Sequence, residues 1–530
     1  MYDIIIKNGR IIDGTGTPWF YGDVYINDGR IIKISRHTGE GARRIIDADG
    51  NIVCPGFIDI HTHSDIPLLV NPRSESKIYQ GVTLEVGGNC GISPAPVFGQ
   101  AKNRLRKELW DDYGLRADWE TYDEFMRFMG GKGISVNYAG LIGHGSIREN
   151  VMGYKKAKPS SQELDQMGKI LDMSLKQGAF GLSTGLIYPP GSYADTEEIV
   201  FLARVAAANG CFYATHLRDE GEYLIEAVNE ALRIGQEAGV PVHISHHKAI
   251  GKLNRGKVKD TLRLMEDARG KGIDITCDLY PYTATSTNLS SIIPDRFRTG
   301  DISELLEKLK DPEIRAQMVK ETTILQNRLG SWSDIYISFT ASEKNKGFEG
   351  KNLQEIGIIL SKDPCEAAFD LIIEEQDKVD KVCFGMYEDD IQFVLKHCLT
   401  MIGSDGSARA PYGVMGRGKP HPRSYGTFAR VLGMYVREKR LFFLEEAVRK
   451  MTWFPAWRLG LADRGVLKVG NWADITIFDQ EKVIDTADYS DPHCYAEGVC
   501  YVIVNGTVVL EHGEHLGLFP GKVIRKNKGM

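Results

Sequence analysis

Residues 53–63 read VCPGFIDIHTH, an apolar run that ends in two histidines one residue apart. In an extended strand alternate side chains point to the same face, so His61 and His63 project together where this strand ends. Two imidazoles on one side of a strand end form half of a transition-metal site. They could also be two ordinary polar residues at a strand end, and the rest of the chain must distinguish these interpretations.

Seven further apolar, strand-like runs follow, and helical patterns separate several of them. The eight runs cover residues 57–63, 82–87, 136–143, 180–184, 211–216, 240–246, 273–279 and 399–404. The helical patterns cover residues 161–177, 196–209, 222–237 and 257–271. Alternation of this kind is typical of an α/β fold. Eight strands favour a (β/α)₈ barrel of the TIM type over an open sheet.

The two ends of the chain differ from this middle part. Residues 1–55 and 465–530 contain short β-rich runs with hairpin signals such as Asn8-Gly9 and Asn505-Gly506. Because chain termini commonly lie close together, we predict one small β-sandwich domain built from both ends, with the barrel at residues 56–464. Residues around 288–372 break the alternation and predict an insertion in the barrel.

Composition excludes several classes of protein. The chain has 530 residues, 42% of them hydrophobic, and a formal net charge of −6. No basic cluster indicates nucleic acid or an anionic membrane, and no apolar run reaches the roughly 20 residues that a membrane span needs. The amino terminus enters a strand pattern without a leader, and the nine cysteines form no CxxC pair. We therefore expect a cytoplasmic protein with a small-molecule substrate; the oligomeric state stays open.

Metal-binding residue types recur where the predicted strands end, which is where TIM barrels form their active sites. These residues are His61 and His63, Cys90, His144, His216, His246 and Asp405. Five of the 13 histidines in the chain are among them. Imidazole, thiolate and carboxylate together suit zinc.

The chemistry of such a site follows from its residue types. A metal ion with an open coordination position lowers the pKa of a bound water and prepares it to attack a carbonyl carbon. A neighbouring carboxylate, for which Asp405 is the candidate, can take the proton of the water and pass it to a leaving nitrogen. The sequence therefore predicts hydrolysis of an amide or a related C–N bond.

Several motifs resemble one known group of enzymes. The segment 56–63, GFIDIHTH, together with Asp405 resembles the amidohydrolase superfamily. Four further segments, NCG at 89–91, STGLIY at 183–188, ISHHK at 244–248 and HPRSYGTF at 421–428, are similar to its N-acyl-D-amino-acid deacylases, also called D-aminoacylases. The likeness spans nearly the full chain, including the β-rich ends.

The resemblance implies a set of metal ligands. It places a tightly bound zinc ion on Cys90, His216 and His246, and a second, weaker metal position on His61, His63 and Asp405. Asp405 would also act as the general base and acid. Many members of the superfamily bridge two metals with a carboxylated lysine after strand four, where this chain reads GLSTG at 181–185. Cys90 would take over that role as a thiolate.

The resemblance also implies residues that bind the substrate. Lys248 and Arg417 match positions that hold the carboxylate of an N-acyl amino acid, and Tyr188 and Tyr282 match neighbours that carry a hydroxyl. The preference for D-amino acids comes from the resemblance alone. His144 could orient substrate or water, or serve as a hydrogen-bonded structural histidine. We also predict a local ion pair between Arg218 and Glu220.

Two other functions are also consistent with parts of the sequence. The first is a cyclic amidase of the hydantoinase or dihydroorotase type, against which the missing bridging lysine counts. The second is a metal-free scaffold protein with the amidohydrolase fold, against which the intact ligand set counts. The sequence leaves open whether the preferred D-amino acid is acidic or aliphatic, whether a small D-peptide is the substrate, and whether one metal ion or two are bound.

Overall fold

The computed structural model describes residues 1–36 and 39–526. The chain begins with short strands that contain many β-branched residues. They are β1 (Tyr2–Ile11), β2 (Phe20–Asn27), β3 (Arg30–Ser35), β4 (Ala42–Asp47) and β5 (Ile52–Pro55). Strand β1 is antiparallel to β2 and parallel to both β4 and β5, so the sheet branches there.

The next segment alternates strands with helices. Its strands are β6 (Phe57–Asp59), β7 (Val82–Gly87), β8 (Asn137–Gly140), β9 (Ile142–Gly143), β10 (Gly181–Gly185), β11 (Phe212–His216), β12 (Val242–Ile244) and β13 (Ile275–Leu279). Its helices are α1 (Pro67–Val70), α2 (Glu75–Ile78), α3 (Gly99–Tyr113), α4 (Tyr122–Lys132), α5 (His144–Met152), α6 (Ser161–Lys176), α7 (Thr196–Ala208), α8 (Leu224–Ala238) and α9 (Lys257–Gly270). Capping side chains on Thr121, Ser160 and Asp195 accept hydrogen bonds at the starts of α4, α6 and α7 and explain where these helices begin.

An insertion with its own apolar core follows β13. It contains β14 (Ala284–Asn288), α10 (Ile302–Lys310), α11 (Pro312–Leu329), β15 (Ile335–Thr340), α12 (Leu353–Leu360), α13 (Pro364–Glu374) and β16 (Val379–Phe384). The three strands form an antiparallel sheet in the order β14-β16-β15. The predicted insertion at 288–372 lies inside this unit, whose first and last strands in the sequence, β14 and β16, extend it to residues 284–384.

The chain then returns to the barrel and ends in strands. This part contains α14 (Glu388–Lys396), β17 (Thr400–Ile402), α15 (Arg423–Arg430), a π-helical segment (Val431–Glu438), α16 (Leu444–Met451), α17 (Trp453–Leu459), β18 (Ile475–Phe478), β19 (Val499–Val504), β20 (Thr507–Glu511) and β21 (Glu514–His515). No helix in the described part of the chain is long and apolar enough to span a bilayer.

Eight parallel strands close into the predicted barrel. Strands β8 and β9 are one strand interrupted at Leu141, and they connect the run β6-β7-β8 to the run β9-β10-β11-β12-β13-β17. The ring closes between the first and last strands, where the Asp405 amide donates to the His61 carbonyl at 2.8 Å. The His63 amide donates to the Gly406 carbonyl at 3.0 Å. The (β/α)₈ barrel is therefore confirmed.

Both ends of the chain enter one sheet. Strand β18 pairs antiparallel with β5, and the strand order is β21-β20-β19-β18-β5-β1-β2-β3. Its apolar core combines Ile6 and Val24 from the amino-terminal strands with Ile475 and Ile503 from the carboxyl-terminal strands. The domain limits 1–55 and 465–530 stay a prediction, and residues 527–530 lie outside the described part.

Candidate metal centre

The predicted ligands all lie at the carboxyl ends of barrel strands. His61 and His63 follow β6, Cys90 follows β7, His216 ends β11, His246 follows β12 and Asp405 follows β17. In a parallel barrel these ends share one rim, so residues far apart in the sequence meet there. The structure brings all six side chains together.

Two groups of potential metal ligands share Cys90. One contains His61, His63, Cys90 and Asp405, and the other contains Cys90, His216 and His246. Within each group the ligand atoms lie within 4.8 Å of one another. The Cys90 Sγ is 3.3 Å from His61 Nε2 and 3.5 Å from His246 Nε2. A thiolate at this position could contact one ion or bridge two.

The His216 ring has the environment expected of a metal ligand. Both of its ring nitrogens are buried without a hydrogen-bond partner. Glu220 Oε2 lies 3.8 Å from His216 Nε2, beyond hydrogen-bond distance. Burial lowers the pKa of His216 and favours the neutral imidazole, which is the form that binds metals. A cation held by one thiolate and two imidazoles would satisfy this ring, and that donor set suits zinc.

The charge state of Cys90 fits the same role. Burial alone would raise the pKa of its thiol, but the neighbouring rings of His61 and His246 hold that pKa well below the usual value. A thiolate is the form of cysteine that coordinates metals. The site therefore has an anionic ligand at its centre.

Three residues of the centre have left-handed backbone conformations that are uncommon for residues other than glycine. The φ angle is +52° at Cys90, +35° at His246 and +50° at Asp405. Gly88 shows why the loop before Cys90 is glycine-rich, since a Cβ there would lie 2.1 Å from the Leu141 carbonyl oxygen. Such strained conformations persist where the surrounding structure enforces them, and they cluster at functional sites.

A buried aspartate behind the centre orients two of the histidines. Asp278 lies 3.2 Å from His61 Nδ1 and 2.9 Å from His243 Nε2, and it accepts the His246 amide at 3.0 Å. Burial would raise its pKa, but His61 and His243 hold it well below the usual value. Because Asp278 contacts Nδ1, Nε2 is the His61 nitrogen that faces Cys90 and would bind a metal.

Glu220 and Lys248 both lie beside the outer ring nitrogen of His246, and Lys248 Nζ is 2.7 Å from His246 Nδ1. One Glu220 carboxylate oxygen is 3.1 Å from His246 Nδ1 and 2.5 Å from Lys248 Nζ. This contact corrects the predicted pair between Arg218 and Glu220. Arg218 instead pairs with Glu230 at 2.9 Å, because Glu220 turns into the site.

Asp405 lies between a histidine and a buried arginine. Its Oδ1 is 3.0 Å from His63 Nε2, and its Oδ2 is 2.7 Å from Arg423 Nη1. Burial would raise its pKa, but Arg423 and His246 hold that pKa well below the usual range. Asp405 is therefore ionised, as a metal ligand or proton acceptor must be.

The centre opens into a cavity of about 490 Å³. Three of the predicted substrate residues, Tyr188, Lys248 and Arg417, line it. The Tyr188 hydroxyl lies 3.2 Å from Thr287 Oγ1. Arg417 is exposed and forms no ion pair with any residue that the structure describes. The charge of Lys248, in contrast, is already balanced by its partner in the site.

Two other predicted substrate residues lie outside the cavity lining. The Tyr282 hydroxyl donates to Asp485 at 3.4 Å, so the side chain points away from the centre. Tyr280 lines the cavity instead, and its hydroxyl is buried without a partner. His144 Nε2 is 2.8 Å from Glu198, in a buried cluster that favours its structural interpretation.

Sequence reasoning missed four residues of this site, namely Glu220, Asp278, Tyr280 and Arg423. A charged residue inside the apolar run 273–279 was a usable signal for Asp278. Arg423 lies in the segment 421–428 that carries part of the resemblance, although no role was given to it. No sequence pattern distinguishes Tyr280 from Tyr282. Which of the two side chains enters the cavity depends on the path of the chain after β13.

Comparison with known proteins identifies the family. The profile described as "Amidohydrolase family" matches residues 44–323 and 398–510. The chain belongs to the amidohydrolase family. It is 37% identical over 530 residues to N-acyl-D-glutamate deacylase of Alcaligenes xylosoxydans xylosoxydans, covering 99% of this chain and 97% of that protein.

Two solved structures agree over nearly the full length. N-acyl-D-glutamate deacylase from Bordetella bronchiseptica, in complex with zinc and a phosphonate mimic of the tetrahedral intermediate, is 33% identical with a TM-score of 0.84. The match covers 99% of each chain. D-aminoacylase is 36% identical with a TM-score of 0.83, covering 99% of this chain and 100% of that one. Its binuclear metal centre is described as activated by one metal and attenuated by the second.

Proposed function

We propose that the protein is a zinc-dependent deacylase that hydrolyses the amide bond of N-acyl-D-amino acids, releasing a carboxylate and a D-amino acid. The observation that carries this proposal is the Cys90 thiol shared by two ligand groups, beside the ionised carboxylate of Asp405. The similar proteins act on N-acyl-D-glutamate or are D-aminoacylases, and the preference for the D enantiomer comes from them.

We assign the metal ligands as two unequal sites. Cys90, His216 and His246 would hold one zinc ion tightly, and His61, His63 and Asp405 would hold a second ion more weakly. The unpartnered ring of His216 supports the first site. By analogy with D-aminoacylase, a single ion would suffice for activity. A bound zinc ion supplies a Lewis acid for the amide carbonyl and acidifies the attacking water.

Asp405 moves the proton in this proposal. Its carboxylate is ionised in the resting state, so it can accept the proton of the attacking water and return it to the leaving nitrogen. Arg423, 2.7 Å from Oδ2, orients the carboxylate and leaves Oδ1 facing the histidines. This arrangement directs the accepting oxygen towards the centre.

The α-carboxylate of the substrate needs a cation and hydroxyl donors. Arg417 offers an unpaired guanidinium, which can bind a carboxylate through two parallel hydrogen bonds. Lys248 adds a donor from the loop after β12, although Glu220 already balances its charge. The hydroxyls of Tyr188 and Tyr280 complete the set of donors that line the cavity.

The end of β10, the fourth strand of the barrel, argues against a cyclic amidase. This strand, residues 181–185, contains no lysine, and the Ser183 hydroxyl accepts the Gly91 amide at 3.1 Å. It also donates to the Gly88 carbonyl at 2.5 Å. Strand four therefore supports the loop that carries Cys90, which is the residue proposed to replace the lysine.

A substrate panel tests the proposal. The zinc-loaded protein is assayed with N-acetyl-D- and N-acetyl-L-amino acids and with a hydantoin, and its zinc content is measured. We expect hydrolysis of the D-amino acid derivatives alone. Activity on the ring alone would favour a cyclic amidase. A protein that retains no metal and hydrolyses nothing would favour the scaffold.

The predicted cytoplasmic location is supported by nine free cysteines.

A further inference from the structure

A lysine of the insertion faces the active-site cavity without a partner. Lys381 lies on β16, is 7% exposed and lines the cavity. No described residue forms a hydrogen bond or an ion pair with its ammonium group. Lysines are almost never fully buried unless they are paired, because removing the charge from water is costly. A buried ammonium that faces a binding cavity therefore indicates an anionic ligand.

The sheet register places Lys381 beside Thr287, a residue that contacts Tyr188 of the cavity. Lys381 lies directly opposite Thr287 on β14, and opposite residues of an antiparallel pair share one face of the sheet. The Thr287 hydroxyl is 3.2 Å from the Tyr188 hydroxyl. The Tyr188 ring is in turn 5.2 Å from the ring of His216. Lys381 is thus separated from a proposed metal ligand by two polar side chains.

The charges that line the cavity do not balance. Five cationic side chains and three carboxylates line it, and one of the carboxylates is Asp405 of the metal centre. These residues are Lys248, Lys381, Arg409, Arg417 and Arg423, with Glu220, Asp380 and Asp405. Glu220 pairs with Lys248, and Asp405 pairs with Arg423. Asp380 is next to Lys381 in the strand, so the two side chains leave opposite faces of the sheet, and the charged group that acts on the pKa of Asp380 is Arg409 rather than Lys381. Lys381, Arg409 and Arg417 form no ion pair within the described part of the chain, and Asp380 is the one unpaired carboxylate among these residues. The lining therefore keeps an excess of two positive charges, which matches a substrate with two negative charges.

The surroundings of Lys381 contain no counter-charge. Burial lowers its pKa, and the two ionisable groups that act on it, the Cys383 thiol and the Arg298 guanidinium, are not carboxylates. Apolar residues also line the cavity and include Ile187, Ile292, Leu325 and Leu329. An aliphatic substrate group there would remove water from the ammonium and give it no partner. A carboxylate would be held strongly in the same apolar environment.

The wall that carries Lys381 continues to the proposed α-carboxylate site. Just beyond Lys248, the Gly251 amide donates to the carbonyl of Gly385 at 2.9 Å, next to the end of β16. The loop after β12 and strand β16 therefore form one side of the cavity. A substrate whose α-carboxylate is held by Lys248 and Arg417 would therefore have Lys381 on one wall of the same cavity.

We propose that Lys381 binds the side-chain carboxylate of an acidic N-acyl-D-amino acid, either N-acyl-D-glutamate or N-acyl-D-aspartate. This inference rests on the proposed deacylase function and names its substrate class. Overall sequence identity does not distinguish the classes, since the values for N-acyl-D-glutamate deacylase and D-aminoacylase are 37% and 36%.

Substrate profiles of the zinc-loaded protein and of Lys381→Met test the inference. We expect N-acetyl-D-glutamate or N-acetyl-D-aspartate to have the highest kcat/KM, well above N-acetyl-D-glutamine and N-acetyl-D-leucine. In Lys381→Met the kcat/KM for the acidic substrate should fall by about 10²-fold, mainly through KM, because a buried charge loses its partner. The values for the two neutral substrates should change little, and Lys381→Arg should restore part of the loss.

Two controls separate this effect from general damage. Lys320→Met makes the same change at an exposed position of α11 and should leave every value unchanged. N-succinyl-D-leucine carries its second carboxylate on the acyl group. If that substrate were preferred and Lys381→Met abolished the preference, the assignment to the amino acid side chain would be wrong.

Failure of the inference is distinguishable from failure of the proposed function. Efficient hydrolysis of N-acetyl-D-leucine, with acidic substrates poor and Lys381→Met without effect, would overturn the role of Lys381 and leave the deacylase intact. Absence of hydrolysis of every N-acyl-D-amino acid by zinc-loaded protein would overturn both. The profile of the unaltered protein alone decides between these results, even if a variant does not fold.

Discussion

At the scale of single residues, Cys90 and Asp405 define the centre. Cys90 is the one side chain that the two ligand groups share, and Asp405 is a carboxylate held ionised by Arg423 and its histidine neighbours. Both have left-handed backbone conformations that the surrounding structure must enforce. The chemistry of the site therefore depends on residues whose positions are specified by the barrel rim.

The first prediction concerns proton transfer by Asp405. Asp405→Asn keeps the shape of the side chain but removes the basic oxygen, so turnover should fall by about 10²-fold or more. The folded structure, checked by circular dichroism, should be unchanged. Asp389→Asn, at an exposed ion pair with Arg255, is the matched control. Near-normal turnover in Asp405→Asn would remove this residue from the mechanism.

The second prediction concerns metal retention by Cys90. Cys90→Ala removes the thiolate that both ligand groups share, so zinc should be lost during dialysis while the parent protein keeps it. Metal content per chain, measured by plasma mass spectrometry, is the readout. Cys398→Ala changes an exposed free cysteine and should retain zinc like the parent. Equal zinc content in the two variants would contradict the assignment of Cys90.

The sequence predicted the metal-binding residues better than the substrate-binding residues. Strand ends of a parallel barrel meet by geometry, so His61, Cys90 and His246 could be placed together without a structure. Whether the side chain of Tyr280 or that of Tyr282 points into the cavity depends on the path of the chain after β13. No local sequence pattern predicts that path. Lys381 was missed because it reaches the cavity from an inserted sheet.

At the scale of elements, a buried ion pair connects the first barrel strand, β6, to the residues that follow the last, β17. Lys77 of α2 donates to Asp59 at 2.8 Å and to the Ser404 hydroxyl at 2.6 Å. The other carboxylate oxygen of Asp59 accepts the Ser404 amide at 2.8 Å. His61 lies two residues after Asp59, and Asp405 directly follows Ser404. This network therefore positions both halves of the second ligand group.

The third prediction tests that network. Lys77→Met leaves the Asp59 carboxylate buried without its cation, so the free energy of unfolding should fall by about 3–5 kcal/mol. Urea unfolding followed by fluorescence measures the change. Lys132→Met, at an exposed position, is the control, and Lys77→Met with Asp59→Asn should recover part of the loss. A stability change no larger than that of the control would contradict the structural role of Lys77.

Elements with local periodicity were predictable, and elements that depend on distant pairing were not. The eight barrel strands show as apolar runs between helical patterns. The insertion sheet pairs β14 with β16, whose residues are nearly one hundred positions apart in the chain, and the sequence between them gives no register. The pairing of β5 with β18 joins the two ends of the chain, and only the similar character of those ends suggested it.

At the scale of the whole molecule, one metal centre joins distant parts of the chain. Its proposed ligands come from five strands between β6 and β17, while the cavity beside it is completed by the insertion. A ligand that binds only the folded state stabilises the entire fold. Metal binding should therefore change the stability of the protein as well as its activity.

The fourth prediction follows from this coupling. Removal of metal with a chelator should abolish hydrolysis and lower the Tm, and added zinc should restore both. At a free zinc concentration about 1,000 times Kd, binding adds about 4 kcal/mol of stability. Differential scanning calorimetry with and without zinc measures the shift. An unchanged Tm in protein that is shown to have lost its metal would contradict the coupling.

Anomalous diffraction at the zinc edge, from crystals of the zinc-loaded protein, tests the central claim most directly. We predict a peak about 2.3 Å from the Cys90 Sγ and within bonding distance of a ring nitrogen of both His216 and His246. A zinc peak elsewhere in the molecule, with these three side chains left without a metal, would contradict the account.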